Sequence, residues 1–220
     1  MRAPITDFQI LRHLMVEHQL ERRGVRDPLV LEAMRSVPRE AFVPPELADE
    51  AYADGPLPIG EGQTISQPYI VALMVEALEL RGGERVLEIG AGSGYAAAVL
   101  AEIAAEVYTV ERHAPLAEEA EARLRRLGYQ NVHIRVGDGS RGWLDHAPYE
   151  GIVVAAGAPE VPEPLKEQLA DGGRLVIPVG RGRTLQDLIR LRRLSETEYQ
   201  REELGGVRFV PLVGAEGWEF

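Results

Sequence analysis

The chain of 220 residues contains no cysteine and only one lysine, Lys166, and one asparagine, Asn131. The lack of cysteine excludes disulfides and thiolate chemistry. No apolar run approaches the roughly 20 residues that a membrane-spanning helix needs. The first residues also lack the uninterrupted apolar stretch of a secretory signal. The simplest expectation is a cytoplasmic protein with no membrane partner.

The chain also lacks an excess of positive charge, since its formal net charge is −11. Proteins that bind the phosphate backbone usually carry a basic face. Arginines here alternate with glutamates, as in "EEAEARLRR", and this pattern is typical of a solvated helix face. We therefore expect no nucleic-acid partner. "HLMVEH" (13–18) does not have the spacing of a zinc-binding helix, and no metal site is predicted.

What the chain does have, from residue 68 onward, is an alternation of short apolar strands with helical patterns. Such an alternation predicts an α/β fold with a mostly parallel, doubly wound sheet. A helix should begin at Pro68, and the first buried strand should run from Arg85 to Ile89. The segment "PEPLKEQLADGG" (162–173) predicts a later helix that ends at its glycines. Two further strand candidates, "LQDLIRLRRL" and "GGVRFVPLV", close the chain and can pair antiparallel at the sheet edge.

The N-terminal third has a different pattern. Apolar residues recur at helical spacing over 5–22, and Asp27 followed by Pro28 indicates another helix start. Residues 37–60 are rich in proline and glycine, which predicts a loop with short turns. We expect one domain in three parts: a helical cap and ligand loop (1–67), a cofactor-binding core (68–180), and C-terminal edge strands with a substrate loop (181–220).

A glycine-rich turn, "EIGAGSGY" (88–95), follows the first predicted strand. Glycines at alternate positions let the backbone pass close to a ligand at the carboxyl end of that strand. The next strand ends in Glu111, whose carboxylate can accept both hydroxyls of a ribose. Strand, turn, helix and acid together predict a nucleoside ligand.

The spacing of the glycines narrows the choice of nucleoside. A dinucleotide site wants G-x-G-x-x-G in front of a pyrophosphate, whereas this turn reads G-x-G-x-G with Tyr95 at the next position. Glu88 precedes the turn, and an acid there disfavours phosphate but suits a cation. S-adenosylmethionine carries a sulfonium and an ammonium group and no phosphate. The alternative is that the glycines only shape a tight turn and Glu88 has a structural role.

The pattern E-x-G-x-G-x-G resembles motif I of the S-adenosylmethionine-dependent methyltransferases, which have a Rossmann-like fold. "VGDG" (136–139) matches the segment in which that superfamily places an acid near the adenine. In addition, "PREAFVP" (38–44), "GQTISQP" (62–68) and "VRFVPL" (207–212) occur in this order. Together these segments closely resemble the protein-L-isoaspartate (D-aspartate) O-methyltransferase family, over roughly residues 5 to 215.

The resemblance implies an enzyme that methylates the α-carboxylate of L-isoaspartyl residues, and less well D-aspartyl ones, in damaged proteins and peptides. The cofactor would be S-adenosyl-L-methionine and the product S-adenosyl-L-homocysteine. The methyl ester then closes to a succinimide, whose hydrolysis returns part of the material to normal aspartate. Family members are usually cytosolic and often monomeric.

The same resemblance assigns residues. Ser66 corresponds to the active-site serine and Val210 to a segment whose backbone meets the isoaspartyl substrate. Tyr69 stands where some relatives have histidine. The predicted cofactor-binding residues are Gln63, Thr64, Ile65, Tyr69, Glu88, Gly90, Gly92, Gly94, Glu111, Asp138 and Gly139.

Three alternatives accompany this prediction. Ser66 lies at the head of an apolar run, and Thr64 and Gln67 have capping-box spacing, so the hydroxyls could simply cap a helix. A methyltransferase of the same fold could act on a small molecule or RNA. A protein that binds the cofactor without catalysis would keep the glycine turn as well.

Overall fold

The computed structural model describes residues 7–180, 182 and 185–219. A seven-stranded sheet forms its centre, in the order β5-β4-β3-β6-β7-β8-β9. The strands from β3 to β7 run parallel, and β8 and β9 are antiparallel to their neighbours. Their bounds are β3 Arg85–Ile89, β4 Glu106–Glu111, β5 Val132–Val136, β6 Tyr149–Val154, β7 Leu169–Val179, β8 Gln186–Arg193 and β9 Tyr199–Val207.

The sheet is buried on both faces, because its apolar side chains alternate between two cores. Val86, Val153 and Val176 join the larger core, with the N-terminal helices. Their neighbours Leu87, Ile152 and Leu175 join a second core on the other face. Burial on both faces is the expected environment of a parallel sheet, and the predicted doubly wound fold is confirmed.

Six α-helices accompany the strands in the part of the chain that the structure describes. Gly128 ends α5 in the left-handed conformation (φ 92°), as the glycine after a helical pattern predicts. The helix bounds are α1 Phe8–Met15, α2 Pro28–Ser36, α3 Pro68–Ala77, α4 Tyr95–Ala101, α5 Ala114–Leu127 and α6 Glu163–Glu167.

The predicted N-terminal helical cap is present. The pattern over 5–22 corresponds to α1, a π-helical turn (Val16–Leu20) and a 3-10 turn (Glu21–Arg23); residues 5 and 6 lie outside the described residues. Asp27 caps α2, since its carboxylate accepts from two backbone N–H groups. Met15, Leu20, Met34 and Phe42 are buried in the larger core, which attaches the cap to the sheet.

Residues 37–60, predicted as loop and short turns, contain 3-10 turns at Arg39–Phe42 and Pro45–Glu50 and then a strand. This strand, β1 (Leu57–Gly60), pairs antiparallel with β2 (Gln63–Ile65) in a separate two-stranded sheet. The sequence prediction missed this hairpin because each strand is too short to show an alternating pattern.

Two predictions near the C-terminus were wrong in their bounds. The helix predicted over 162–173 stops at Glu167, and residues 169–173 already belong to β7, which pairs with Tyr149 at Leu169. The last strand covers Tyr199–Val207 rather than 205–213. Its antiparallel pairing at the edge is confirmed, but residues 208–213 leave the sheet. The predicted 181–220 segment includes residues 181, 183, 184 and 220, which lie outside the described residues.

The order of the strands fixes where a ligand can bind. β3 pairs with β4 on one side and with β6 on the other, so successive connections leave β3 in opposite directions. In open α/β sheets, ligands bind beyond the carboxyl ends of the strands at such a switch point. The glycine turn follows β3 at this point.

Candidate functional site

The glycine turn has the backbone conformation that its sequence predicts. Gly90, Gly92 and Gly94 have φ values of 95°, 52° and 87°, a region that side-chain-bearing residues rarely occupy. A Cβ atom at Gly94 would also lie 3.1 Å from Leu124 Cδ1. The turn therefore requires glycine, and it exposes backbone to a cavity beyond β3.

Glu111 lies in that cavity at the end of β4 and is 5% exposed. Its Oε2 accepts from the Gly92 N–H at 2.9 Å, and its Oε1 accepts from the His113 N–H at 2.9 Å. The carboxylate thus ties the glycine turn to the neighbouring strand. Each carboxylate oxygen can accept a further hydrogen bond, so the group can also receive ligand hydroxyls.

Glu88 is the second acid of the cavity and is 1% exposed. Its Oε2 accepts from Thr109 Oγ1 at 2.6 Å, while Oε1 has no hydrogen-bond partner among the described residues. Burial raises the pKa of Glu88 to about 8; the Thr109 hydroxyl lowers it, and the neighbouring Glu111 raises it further. The side chain is therefore mostly protonated at neutral pH, and a cation placed against it would favour the charged form.

We call Glu88, Gly90, Gly92 and Glu111 the glycine wall of the cavity. The same cavity is lined by residues 63–66 of the β1–β2 hairpin and its exit, and by residues 210–213. We call these two segments the loop wall. It contains no charged side chain, in contrast to the two carboxyl groups of the glycine wall.

Ser66 lies in the loop wall, between the end of β2 and the start of α3. The first residue of α3 is Pro68, and Gln67 occupies the N-cap position without a side-chain capping bond. The alternative that Ser66 or Thr64 caps this helix is therefore wrong. The Ser66 carbonyl accepts from Arg39 Nη2 at 2.8 Å.

The other half of the loop wall comes from the chain beyond β9. Gly157 donates its N–H to the Val210 carbonyl at 2.8 Å, and its carbonyl accepts from the Leu212 N–H at 2.8 Å. Gln186 Oε1 accepts from the Phe209 N–H at 2.9 Å. These bonds hold Val210 at the cavity, inside the segment 205–213 whose sequence predicts an edge strand.

Ten of the thirteen residues predicted from the sequence to contact the cofactor or the substrate line the cavity. Among the cavity-lining residues are Gln63, Thr64, Ile65, Ser66, Glu88, Gly90, Gly92, Glu111, Gly139 and Val210.

 Three of the thirteen predicted residues do not line the cavity. They are Tyr69, Gly94 and Asp138.

Each of these three residues has another environment. Gly94 is the N-cap of α4. The Tyr69 ring lies under the Arg23 guanidinium, 3.5 Å from Cζ to the ring centroid. Asp138 accepts from Ser140 N and Oγ and from Ala215 N. Their roles toward a cofactor stay predictions.

The hydrogen bonds of Asp138 explain its electrostatics. Burial alone would raise the pKa of Asp138, but the Ala215 N–H, the Ser140 groups and nearby Arg141 hold it below the ordinary value. The ionised carboxylate thereby fixes the segment that follows the loop wall. Within "VGDG" it is Gly139 that lines the cavity, where a Cβ atom would lie 2.4 Å from Ile89 Cγ2.

The sequence prediction missed several cavity residues. His113 follows Glu111 by two positions, and its Nδ1 lies 3.8 Å from Glu61 Oε2 at the tip of the hairpin. The available sequence signal for His113 was its place shortly after an acid that ends a strand. No sequence signal marked alanines 155 and 156. Residues missed in this way include Arg112, His113, Ala155, Ala156, Pro211 and Val213.

The composition of the cavity defines what it can bind. Two buried acids disfavour a phosphate and suit a ligand with a cationic group and hydroxyls. Glu88 Oε1, which has no partner among the described residues, suits the cationic group of S-adenosylmethionine. The backbone of the glycine turn lets such a ligand approach closely. Among the described residues, no helix is long and apolar enough to cross a membrane.

Comparisons with known proteins agree with this chemistry. The family model for protein-L-isoaspartate(D-aspartate) O-methyltransferase matches residues 11–217. A protein-L-isoaspartate O-methyltransferase 1 of Rhodopseudomonas palustris (strain HaA2) is 64% identical over 213 residues, which are 97% of this chain and 87% of the relative.

Solved structures give the same result. One protein-L-isoaspartate O-methyltransferase superposes with a TM-score of 0.82 at 32% identity, covering 94% of this chain and 67% of the other. A Plasmodium falciparum protein of the same description, in complex with S-adenosyl-L-homocysteine, gives a TM-score of 0.77 at 26% identity and covers 92% and 98% of the two chains. The chain therefore belongs to the protein-L-isoaspartate(D-aspartate) O-methyltransferase family.

Proposed function

We propose that the protein transfers the methyl group of S-adenosylmethionine to the α-carboxylate of L-isoaspartyl residues, and of D-aspartyl residues, in damaged proteins and peptides. The observation that carries this proposal is the division of one cavity into an acidic glycine wall and an uncharged loop wall. The first suits a cationic cofactor, and the second suits an anionic nucleophile.

The glycine wall would hold the cofactor. Glu111 would accept the ribose hydroxyls, and Glu88 would face a cationic group, while the glycine turn lets the ligand approach the backbone. The bound cofactor supplies a methyl group on a positively charged sulfur. Glu88 and Glu111 would stabilise that positive charge without a bond to the methyl group.

The loop wall would hold the substrate carboxylate. A carboxylate with an ordinary pKa of about 4 is ionised at neutral pH, so the reaction needs no general base. A carboxylate oxygen attacks the methyl carbon as the carbon–sulfur bond breaks with its electron pair on sulfur. The products are a methyl ester and S-adenosyl-L-homocysteine, and no proton moves.

Neutral donors suit this nucleophile better than a cation in direct contact. An ion pair would stabilise the carboxylate and reduce its nucleophilicity, whereas a hydroxyl can position it at less cost. The Ser66 hydroxyl and the backbone near Val210 are the groups proposed for this role. The remaining contribution of the site is alignment of oxygen, carbon and sulfur with exclusion of water.

The test is a paired peptide assay with radiolabelled S-adenosylmethionine. We expect label in a peptide with one L-isoaspartyl residue, weaker label in its D-aspartyl counterpart, and none in the same peptide with normal L-aspartate. Equal labelling of the L-isoaspartyl and L-aspartyl peptides, or of neither, would contradict the proposal. Base-labile release of the label as methanol would identify the product as a methyl ester.

A further inference from the structure

Arg39 is a fully buried arginine directly behind the loop wall, with an exposed fraction of 0%. It begins a 3-10 turn in the segment "PREAFVP". Its Nε donates to the Ala51 carbonyl at 2.7 Å, and its Nη2 donates to the Ser66 carbonyl at 2.8 Å. The third nitrogen, Nη1, has no hydrogen-bond partner among the described residues.

The environment of this guanidinium is unusual for a buried charge. Its Cζ lies 4.7 Å from the centroid of the Tyr95 ring, and none of the ion pairs found among the described residues includes Arg39. Desolvation by burial lowers the pKa of Arg39, and the nearby Tyr95 opposes this shift. A buried charge without an ionic partner destabilises a fold, so packing alone does not account for an arginine here.

Arg39 joins the carbonyl groups of two different segments of the chain. Ala51 follows the last 3-10 turn of the N-terminal cap, and Ser66 follows β2. The planar guanidinium presents its donors in a rigid fork, so the two bonds fix the loop relative to the cap. Ser66 itself lies between β2 and α3, and the following helix start has no side-chain cap.

We propose that Arg39 is a positioning residue that holds the Ser66 backbone and thereby aims the Ser66 hydroxyl at the substrate carboxylate. This inference rests on the proposed function. Arg39 acts through Ser66 and does not touch cofactor or substrate. Its charge lies behind the loop, where it does not form an ion pair with the nucleophile.

The test compares Arg39→Met and Arg39→Lys with wild type in the isoaspartyl assay. Because a small displacement of a reacting group can cost much of its contribution to the rate, we expect Arg39→Met to lower kcat by up to about tenfold, which is no more than Ser66→Ala. The Kd for S-adenosylmethionine should stay within about threefold, since neither hydrogen bond of Arg39 goes to Glu88, Gly90, Gly92 or Glu111. Arg39→Lys, which can hold only one of the two carbonyls, should lie between wild type and Arg39→Met.

Arg12→Met is the matched control. Arg12 also donates to backbone carbonyls of the cap, those of Arg35 and Ser36, and pairs with Glu40. Within the described ranges, no hydrogen bond of Arg12 reaches the loop wall. Arg12→Met should lower the melting temperature but leave kcat within about threefold of wild type.

A double-mutant cycle separates positioning from general destabilisation. If Arg39 acts through the Ser66 hydroxyl, Arg39→Met in the Ser66→Ala background should change kcat by less than about threefold. Independent, multiplicative effects would overturn the inference, and so would an equal loss of cofactor affinity. If Arg39→Met does not fold, the same cycle with Arg39→Lys decides. Wild type that fails to label the isoaspartyl peptide would refute the proposed function itself, which is a separate outcome.

Discussion

The glycine wall and the loop wall line one cavity but are built in different ways. The glycine wall comes from the ends of two adjacent parallel strands, β3 and β4, and its two carboxyl groups are buried. The loop wall joins residues 63–66 with residues 210–213, two segments that are far apart in the sequence. Its position depends on bonds from Arg39, Gly157 and Gln186.

The difference teaches how one site can serve two ligands of opposite charge. Negative groups lie where the cationic cofactor is proposed to bind, and uncharged groups lie where the carboxylate nucleophile is proposed to bind. Substitutions in the two walls should therefore have different effects. Changes in the glycine wall should alter cofactor affinity and the pH response, and changes in the loop wall should alter turnover.

The largest effect should come from the protonation of Glu88. Burial raises the pKa of Glu88 in the folded protein to about 8, above the ordinary value of 4.5. Between these two pH values the folded state therefore binds more protons than the unfolded state. The contribution of Glu88 to the free energy of unfolding is complete below about pH 4.5 and is lost as the pH rises to about 8. Between pH 5 and pH 8 the free energy of unfolding should fall by about 3 kcal/mol more in wild type than in Glu88→Gln.

Urea unfolding of both proteins across this pH range measures the difference. Saturating S-adenosylmethionine should reduce it, because a cation against Glu88 favours the ionised form. Parallel pH profiles of wild type and Glu88→Gln without ligand would show that Glu88 is already ionised in the folded protein.

The second effect concerns Glu111 and cofactor affinity. Glu111→Ala removes the acceptor of the Gly92 and His113 N–H groups as well as the proposed ribose contacts. Hydrogen bonds to charged groups contribute about 1.5–3 kcal/mol, so the Kd for S-adenosylmethionine should rise by about 10- to 100-fold. Calorimetric titration measures the change.

Glu106→Ala is the control for Glu111→Ala, since Glu106 starts the same strand and pairs with His133 at the surface. Its affinity for the cofactor should equal that of wild type. An unchanged Kd in Glu111→Ala would remove the proposed ribose contact.

The smallest effect should come from the loop wall. Ser66→Ala removes one neutral hydroxyl, and we expect kcat on the isoaspartyl peptide to fall by about tenfold with little change in cofactor Kd. Steady-state kinetics with calorimetry checks both quantities. A Ser66→Ala variant with normal kcat would shift the proposed role from the hydroxyl to the backbone of the loop.

The sequence predicted the glycine wall well and the loop wall only by resemblance. The turn after β3, the acid at the end of β4 and their nearness follow from periodicity, glycine spacing and parallel pairing, which are local patterns. The bounds of β7 and β9 were wrong, because their pairing partners, not their own residues, decide where these strands begin and end. Nothing in the local pattern distinguishes Ser66 from a helix cap.

The sequence by itself therefore determined the class of fold, the glycine turn and the acids beside it, because these depend on short-range periodicity and backbone conformation. Only the tertiary structure decided that Arg39 lies behind Ser66, that Asp138 holds residue 215 rather than lining the cavity, and that residues 63–66 and 210–213 meet. These features depend on contacts between residues far apart in the chain. Such contacts leave no periodic signal, since each requires only one suitable donor or acceptor at its place in the fold.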